Sequence, residues 1–171
     1  MKTMLILSVA ACLVAGAASA EPAPVTRAYP APDAPIASAV VVPPGYATVY
    51  LSGMIAGVSH PEAEKGSIAS LGTTEEQTES VLAKIQAALK AQGLDFKDIV
   101  SMRVYLAGDP APKDGSAPGK MDFAGMMKSY SRHFGTADQP NRPTRVTVQV
   151  AALALPNMLV EIECVAVKPV S

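Results

Sequence analysis

Apolar and polar positions alternate most strictly toward the C-terminal end of the chain. Over Thr144–Ala152, Val146, Val148 and Val150 share one face and Arg145, Thr147 and Gln149 the other. Over Leu159–Val167, Val160, Ile162, Cys164 and Ala166 oppose Glu161, Glu163 and Val165. A period of two is that of a strand with one side on a core and the other on something polar. Three earlier strands are expected. These are Ala39–Val42, closed by Pro43-Pro44-Gly45; Ala47–Ser52, ending at Gly53; and Ile99–Leu106, with Val100, Met102, Val104 and Leu106 on one face. The period changes over Thr74–Gln92, where Val81, Ile85, Ala88 and Leu89 form one helical stripe. Thr73 or Thr74 can cap this helix with Glu76 or Gln77 as capping-box partner, and Gly93 can stop it. A second helix, Met121–Phe134, carries Phe123, Met126, Met127 and Tyr130. Met54 to Leu71 reads as an irregular connection, and Gly108–Gly119 as a long loop rich in glycine and proline. The order β-β-α-β-α-β-β predicts an α+β fold, one mixed sheet with two helices on its apolar face.

The first twenty residues have a different character. Lys2 precedes an almost unbroken apolar run from Met4 to Ala17, and Ala18-Ser19-Ala20 is a small-x-small cleavage pattern. The run is too short to span a bilayer of roughly 30 Å as a helix. Residues 1–20 are therefore expected to be a signal peptide cut after Ala20, placing the protein in the periplasm or outside the cell. An uncleaved N-terminal anchor is the alternative. Residues 21–35, EPAPVTRAYPAPDAP, read as an extended, partly disordered leader, and 36–171 as the folded domain.

Removing 20 residues from 171 leaves 151, enough for one domain with its own core. Only Lys2 is lost among the 14 basic residues, so 13 face 15 acidic ones, a net of −2. That balance disfavours a nucleic-acid surface, and nothing marks a membrane-binding face once the signal is gone. Cys12 leaves with the signal, so Cys164 has no partner for an intramolecular disulfide. Two scattered histidines and one thiol give no metal-ligand spacing.

Arg145 is the most informative polar residue. A guanidinium is a planar fork that holds a carboxylate through two parallel hydrogen bonds. Glu161 and Glu163 are read on the same sheet face as Arg145. A hairpin around Pro156 would set Glu161 opposite Val150, about 17 Å from Arg145 at strand spacing. The two could then meet only between copies of the chain. Blander readings stand beside this one: a strand arginine in a surface ion pair, and a solvated pair of glutamates. Cys164 on the apolar stripe reads as a buried, inert thiol. His60 and His133 lack any arrangement that suggests a catalytic triad.

Five fragments in order carry a resemblance over roughly Ala34 to Lys168. They are Tyr50-Leu51-Ser52-Gly53, the helix segment Glu76–Leu82, Leu94-Asp95-Phe96-Lys97-Asp98-Ile99-Val100, Asn141-Arg142-Pro143-Thr144-Arg145, and Leu159–Val167. Together they resemble the RidA/YjgF family of reactive-intermediate (enamine/imine) deaminases. The resemblance implies a chorismate-mutase-like subunit in a homotrimer, with pockets between neighbours. It also implies hydrolysis of short-lived 2-imino or enamine acids to 2-oxo acids and ammonia, without metal or organic cofactor. The family's carboxylate-clamping arginine falls on Arg145, and its water- or proton-handling glutamate on Glu161. Ser52, Gly53 and Thr147 fall on pocket-lining positions.

Three positions depart from the family pattern. Ile36 stands where a tyrosine is usual, Met127 where an asparagine is, and Met54 where a glutamine is common. Each makes the pocket rim more apolar. The expected activity is a deaminase acting outside the cytoplasm on a small 2-imino acid. A non-catalytic small-carboxylate-binding or holdase-like trimer is the alternative, and a ribonuclease-like activity ranks third.

Overall fold

A computed structural model describes residues 21–110, 112 and 117–170. The expected signal peptide lies outside the described residues, as do positions 111 and 113–116 of the long loop.

The chain opens with two short strands, β1 (Thr26–Ala28) and β2 (Ala39–Val41), paired antiparallel. The proline-rich segment is thus not a free spacer. Its prolines flank the Thr-Arg-Ala strand without interrupting it. The half-buried Arg27 guanidinium donates through Nη2 to the carbonyls of Lys97 (2.9 Å) and Ile99 (3.2 Å), fastening the segment to the domain.

The main sheet contains β3 (Tyr46–Ile55), β4 (Ile99–Ala107), β5 (Thr144–Val150) and β6 (Val160–Pro169), in the order β3-β6-β4-β5. β6 runs antiparallel to both β3 and β4, whereas β5 is parallel to β4. The sheet is mixed, as expected, but the hairpin between the last two strands does not form. β4 lies between them, because α3 (Phe123–His133) carries the chain from β4 back to a parallel β5. The connection after β3 is also less irregular than expected, since α1 (Ile68–Leu71) is a single capped turn leading into α2 (Thr74–Ala91).

α2 begins with the expected capping box. Thr73 Oγ1 accepts from the Glu76 amide, and Glu76 Oε2 accepts from the Thr73 amide at 2.8 Å. Gly93, at φ 73°, terminates the helix in a conformation that a side chain would strain. Val81, Leu82, Ile85 and Leu89 of α2 are fully buried, together with Met126 and Tyr130 of α3. They pack over Met102, Val104 and Leu106 of β4 and Val160, Ile162 and Cys164 of β6.

β5 departs from its pattern. Val146 and Val148, expected toward the core, are 57% and 40% exposed. Register explains the inversion: Arg145 lies beside buried Met102, and Thr147 beside buried Val104, so these two face the helices. Glu161 and Glu163 pair with Tyr105 and Arg103 on the opposite face. The expectation that Arg145 and the two glutamates share a face is therefore wrong within one subunit.

A polar network joins the two long helices. Glu79 of α2 accepts from Ser129 (2.8 Å), from Arg132 Nη2 (3.0 Å) and from His133 Nε2 (2.7 Å). Arg132 Nη1 also bonds Glu75 at 2.7 Å. Burial works to raise the Glu79 carboxyl, but the hydrogen bonds from Ser129, His133 and Arg132 outweigh it and hold its pKa below the ordinary value. A carboxylate lowered on folding stabilises the protein above its unfolded pKa and loses that contribution as pH falls through the folded value. The stability difference between wild type and Glu79→Gln, measured by urea unfolding, should therefore be present near neutral pH. It should shrink progressively between about pH 5 and pH 3.

Candidate functional site

The approach to Arg145 is fixed residue by residue. Gln139 Oε1 accepts from the Asn141 amide at 2.9 Å. The Arg142 amide donates to the Tyr29 hydroxyl at 3.1 Å, and the Arg142 guanidinium lies 4.9 Å from that ring's centroid. Pro143 accepts from the Ala37 amide at 3.0 Å, and Thr144 Oγ1 donates to the Val100 carbonyl at 3.1 Å. With these contacts made, β5 enters the sheet with Arg145 turned inward.

Once inside, the guanidinium meets no acid among the described residues. Its carbon lies 4.2 Å from the Tyr130 ring centroid and 6.0 Å from that of Phe123. Nη2 donates to the Met127 sulfur at 3.1 Å. Nη1 is buried without a hydrogen-bond partner, and so is Thr147 Oγ1 two residues further along the same strand face. Burial lowers the Arg145 pKa, and nearby Tyr130 offsets this only in part. Tyr130, pushed up to about 12 by burial, keeps its proton and donates it to the Pro35 carbonyl at 3.0 Å. Ile36 is half-buried between Pro35 and Ala37, both tied to this cluster.

An unpaired buried donor forfeits a hydrogen bond, and an unpaired buried cation forfeits more. Two orphaned groups on one strand face, one cationic and one hydroxyl, are of the kind that bind the two oxygens of a carboxylate. Rings and a thioether supply the remaining walls.

Ser52, Gly53 and Glu161 form a second cluster at the join of β3 and β6. The register slips between Leu51 and Met54, a bulge that leaves Gly53 against the Glu161 side chain. A Cβ at Gly53 would collide with Glu161 Oε1, so the glycine makes room for the carboxylate. Among the described residues, no donor binds Glu161. Glu163 differs: Tyr105 (2.9 Å) and Arg103 (3.1 Å) both donate to it, and these bonds hold its pKa down.

The structure thus gathers Arg145, Thr147, Met127 and the Ile36 segment on the helix-covered face. It gathers Ser52, Gly53 and Glu161 elsewhere, on β3 and β6. Within a subunit the two clusters do not meet. The walls around the guanidinium, Phe123 and Tyr130, were not foreseen as site residues. Their spacing with Met127 (123, 127, 130) marks one helix face, which reads equally well as core packing until β5 presents its arginine there. Cys164 is buried as expected, and its thiol is pushed up to about 12 by burial.

Comparison with known proteins gives a consistent picture. The model of the endoribonuclease L-PSP family matches residues 26–168. The chain is 32% identical over 143 residues to the 2-iminobutanoate/2-iminopropanoate deaminase of Capra hircus, covering 84% of this chain and 87% of that one. It is 35% identical over 114 residues to a RutC family protein of Pyrococcus horikoshii, covering 67% and 77% respectively. The crystal structure of E. coli TdcF with bound serine superposes with a TM-score of 0.52 at 27% identity, covering 71% of this chain and 80% of that one.

A cation buried without a counter-charge should destabilise the unliganded protein. Arg145→Met, which keeps the apolar stem, is expected to raise the unfolding free energy by about 1 kcal/mol in denaturant titration.

Proposed function

The chain belongs to the endoribonuclease L-PSP family, which includes the RidA and YjgF proteins, and from that premise we propose that it deaminates 2-imino acids in a pocket between subunits. The observation that carries the reading is the pair of buried, unpartnered groups on β5, Arg145 Nη1 and Thr147 Oγ1. They take the substrate carboxylate. The named deaminase relatives, and the amino acid bound to TdcF, agree with a carboxylate ligand.

Glu161 of a neighbouring subunit completes the site. With no donor occupying it, its carboxylate can accept a proton from water as the oxygen adds to the C=N carbon. The proton is then returned to the amine. Collapse of the tetrahedral intermediate, with the hydroxyl proton passing by the same carboxylate to the departing nitrogen, expels ammonia and leaves the 2-oxo acid, so one water enters for each ammonia released. No step calls for a redox cofactor or a metal.

Three copies packed around the uncovered sheet face, with the β5 edge of one subunit against its neighbour, would bring the clusters together. Tyr50 is 80% exposed at one edge of that face, and Val146 and Val148 are exposed at the other, with the Arg103–Glu163 pair on the strands between. Large apolar side chains left uncovered at both edges of a sheet face suit a protein interface. The N-terminal signal pattern supports a periplasmic or extracellular location for the protein. A second reading, a carboxylate-binding trimer without turnover, draws on Met127, whose sulfur occupies the guanidinium where a hydrogen-bonding side chain is usual in the family.

Ammonia release from 2-iminobutanoate generated in situ tests the proposal. Acceleration by the protein beginning at Glu21, reduced at least about a hundredfold in Arg145→Ala, is the expected result. Absence of acceleration in a folded trimer that still binds 2-oxobutanoate would leave the binding-protein reading. Light scattering that finds a monomer would remove the inter-subunit site.

A further inference from the structure

We propose that Met127 is an oxidation-sensitive gate on the Arg145 site, closed when its thioether becomes a sulfoxide. The proposal rests on the reading of Arg145 as a carboxylate clamp and adds a control on that same group.

The geometry is specific to this side chain. Met127 is half-buried, and its sulfur receives the Arg145 Nη2 hydrogen bond at 3.1 Å. A thioether is a weak acceptor, so a ligand carboxylate displaces it at little cost and gains a charge-assisted pair. Oxidation changes that balance. When hydrogen peroxide attacks, an S–O bond forms as the peroxide O–O bond breaks. The sulfur gives up two electrons, and the peroxide is reduced to water. The new oxygen carries partial negative charge and is a strong acceptor. Tethered beside the guanidinium, it competes with free ligand at a high effective concentration. Arg145, which lacks a counter-charge and has Nη1 unpartnered, gains the acceptor it lacks from its own chain.

The other candidates for oxidation lack this combination. Met102 and Met126 are 1% and 0% exposed. Met54, Met121 and Met158 pack against the core, and among the described residues none has an arginine donating to its sulfur. Cys164 is buried and holds its proton, so it offers peroxide little thiolate. The oxidant and the substrate also share a chemical source. A dioxygen-dependent oxidation of an amino acid to its imine releases hydrogen peroxide in the same step. An imine deaminase supplied by that class of reaction works where peroxide is made.

Calorimetric binding of 2-oxobutanoate, before and after limited peroxide treatment, tests the gate, with peptide mass spectrometry locating the added oxygen. The expected result is one oxygen on Met127 and affinity weakened at least about tenfold, the size of one hydrogen bond to a charged group. Methionine sulfoxide reductases should restore it. In Met127→Leu, affinity should not respond to peroxide, whatever its starting value. The proposal is overturned if Met127 resists oxidation, if it oxidises without loss of affinity, if the protein unfolds, or if the loss persists in Met127→Leu. If the untreated protein binds no 2-oxobutanoate, the clamp itself fails and the gate with it. Binding that survives oxidation removes the gate alone.

Discussion

A guanidinium taken out of water with no carboxylate beside it must be held by weaker means, and much of the structure around β5 supplies them. Tyr130 offers its ring face and Met127 its sulfur, with Phe123 further out. Cation–π contacts of this kind contribute about 0.5–2 kcal/mol each, short of the several that desolvation of an ion costs. The deficit has a direction. Any anion small enough to reach Nη1 relieves it, so the unliganded site is already arranged for the charge it lacks. Tyr130 is itself locked by the Pro35 carbonyl, and the segment before Arg145 is locked by Tyr29, Ala37 and Val100. Most of the polar contacts around the site therefore serve to position one side chain.

The same constraint divides the sheet into two working faces. Two helices cover one face with a continuous apolar core, and Arg145 and Thr147 sit at its margin on the edge strand. The other face combines the Arg103–Glu163–Tyr105 hydrogen bonds with uncovered Tyr50, Val146 and Val148. A subunit built this way presents an unpartnered cation from one face and, from the other, a glutamate that no donor binds among the described residues. On the proposed reading, assembly closes the two into one site, and the exposed valines supply an apolar reason for it.

How much of this could be read from the sequence depended on which neighbours set each residue's environment. The long helix was legible because its cap, stripe and terminating glycine are all local signals. The alternations of β4 and β6 were legible because both strands are central and their apolar sides are buried. β5 misled, for it is an edge strand. Its valines looked like core residues, yet the register with β4 turns Arg145 and Thr147 inward instead. Periodicity gives the two faces of a strand without saying which one meets the helices. Strand order was misjudged for a related reason: sequence neighbours suggested a hairpin, and the α3 crossover inserted β5 beside β4. Arg145, Thr147 and Met127 came from family motifs and do come together. Tyr130 and Phe123 were indistinguishable from core until the arginine was placed against them.

The Arg145 environment also joins distant parts of the chain. Tyr130 reaches Pro35 across 95 residues, and the Arg142 amide reaches Tyr29 across 113. Contacts with such long sequence separation close large loops and are costly in entropy until much of the chain has ordered. The cation can thus remain hydrated while the helices and central strands collapse, entering its ring-lined niche only as the N-terminal hairpin docks. Desolvation then falls at the end of folding, when the packed core can already support it. A nascent chain emerging N-terminus first must hold its opening hairpin in waiting until nearly everything else has been made.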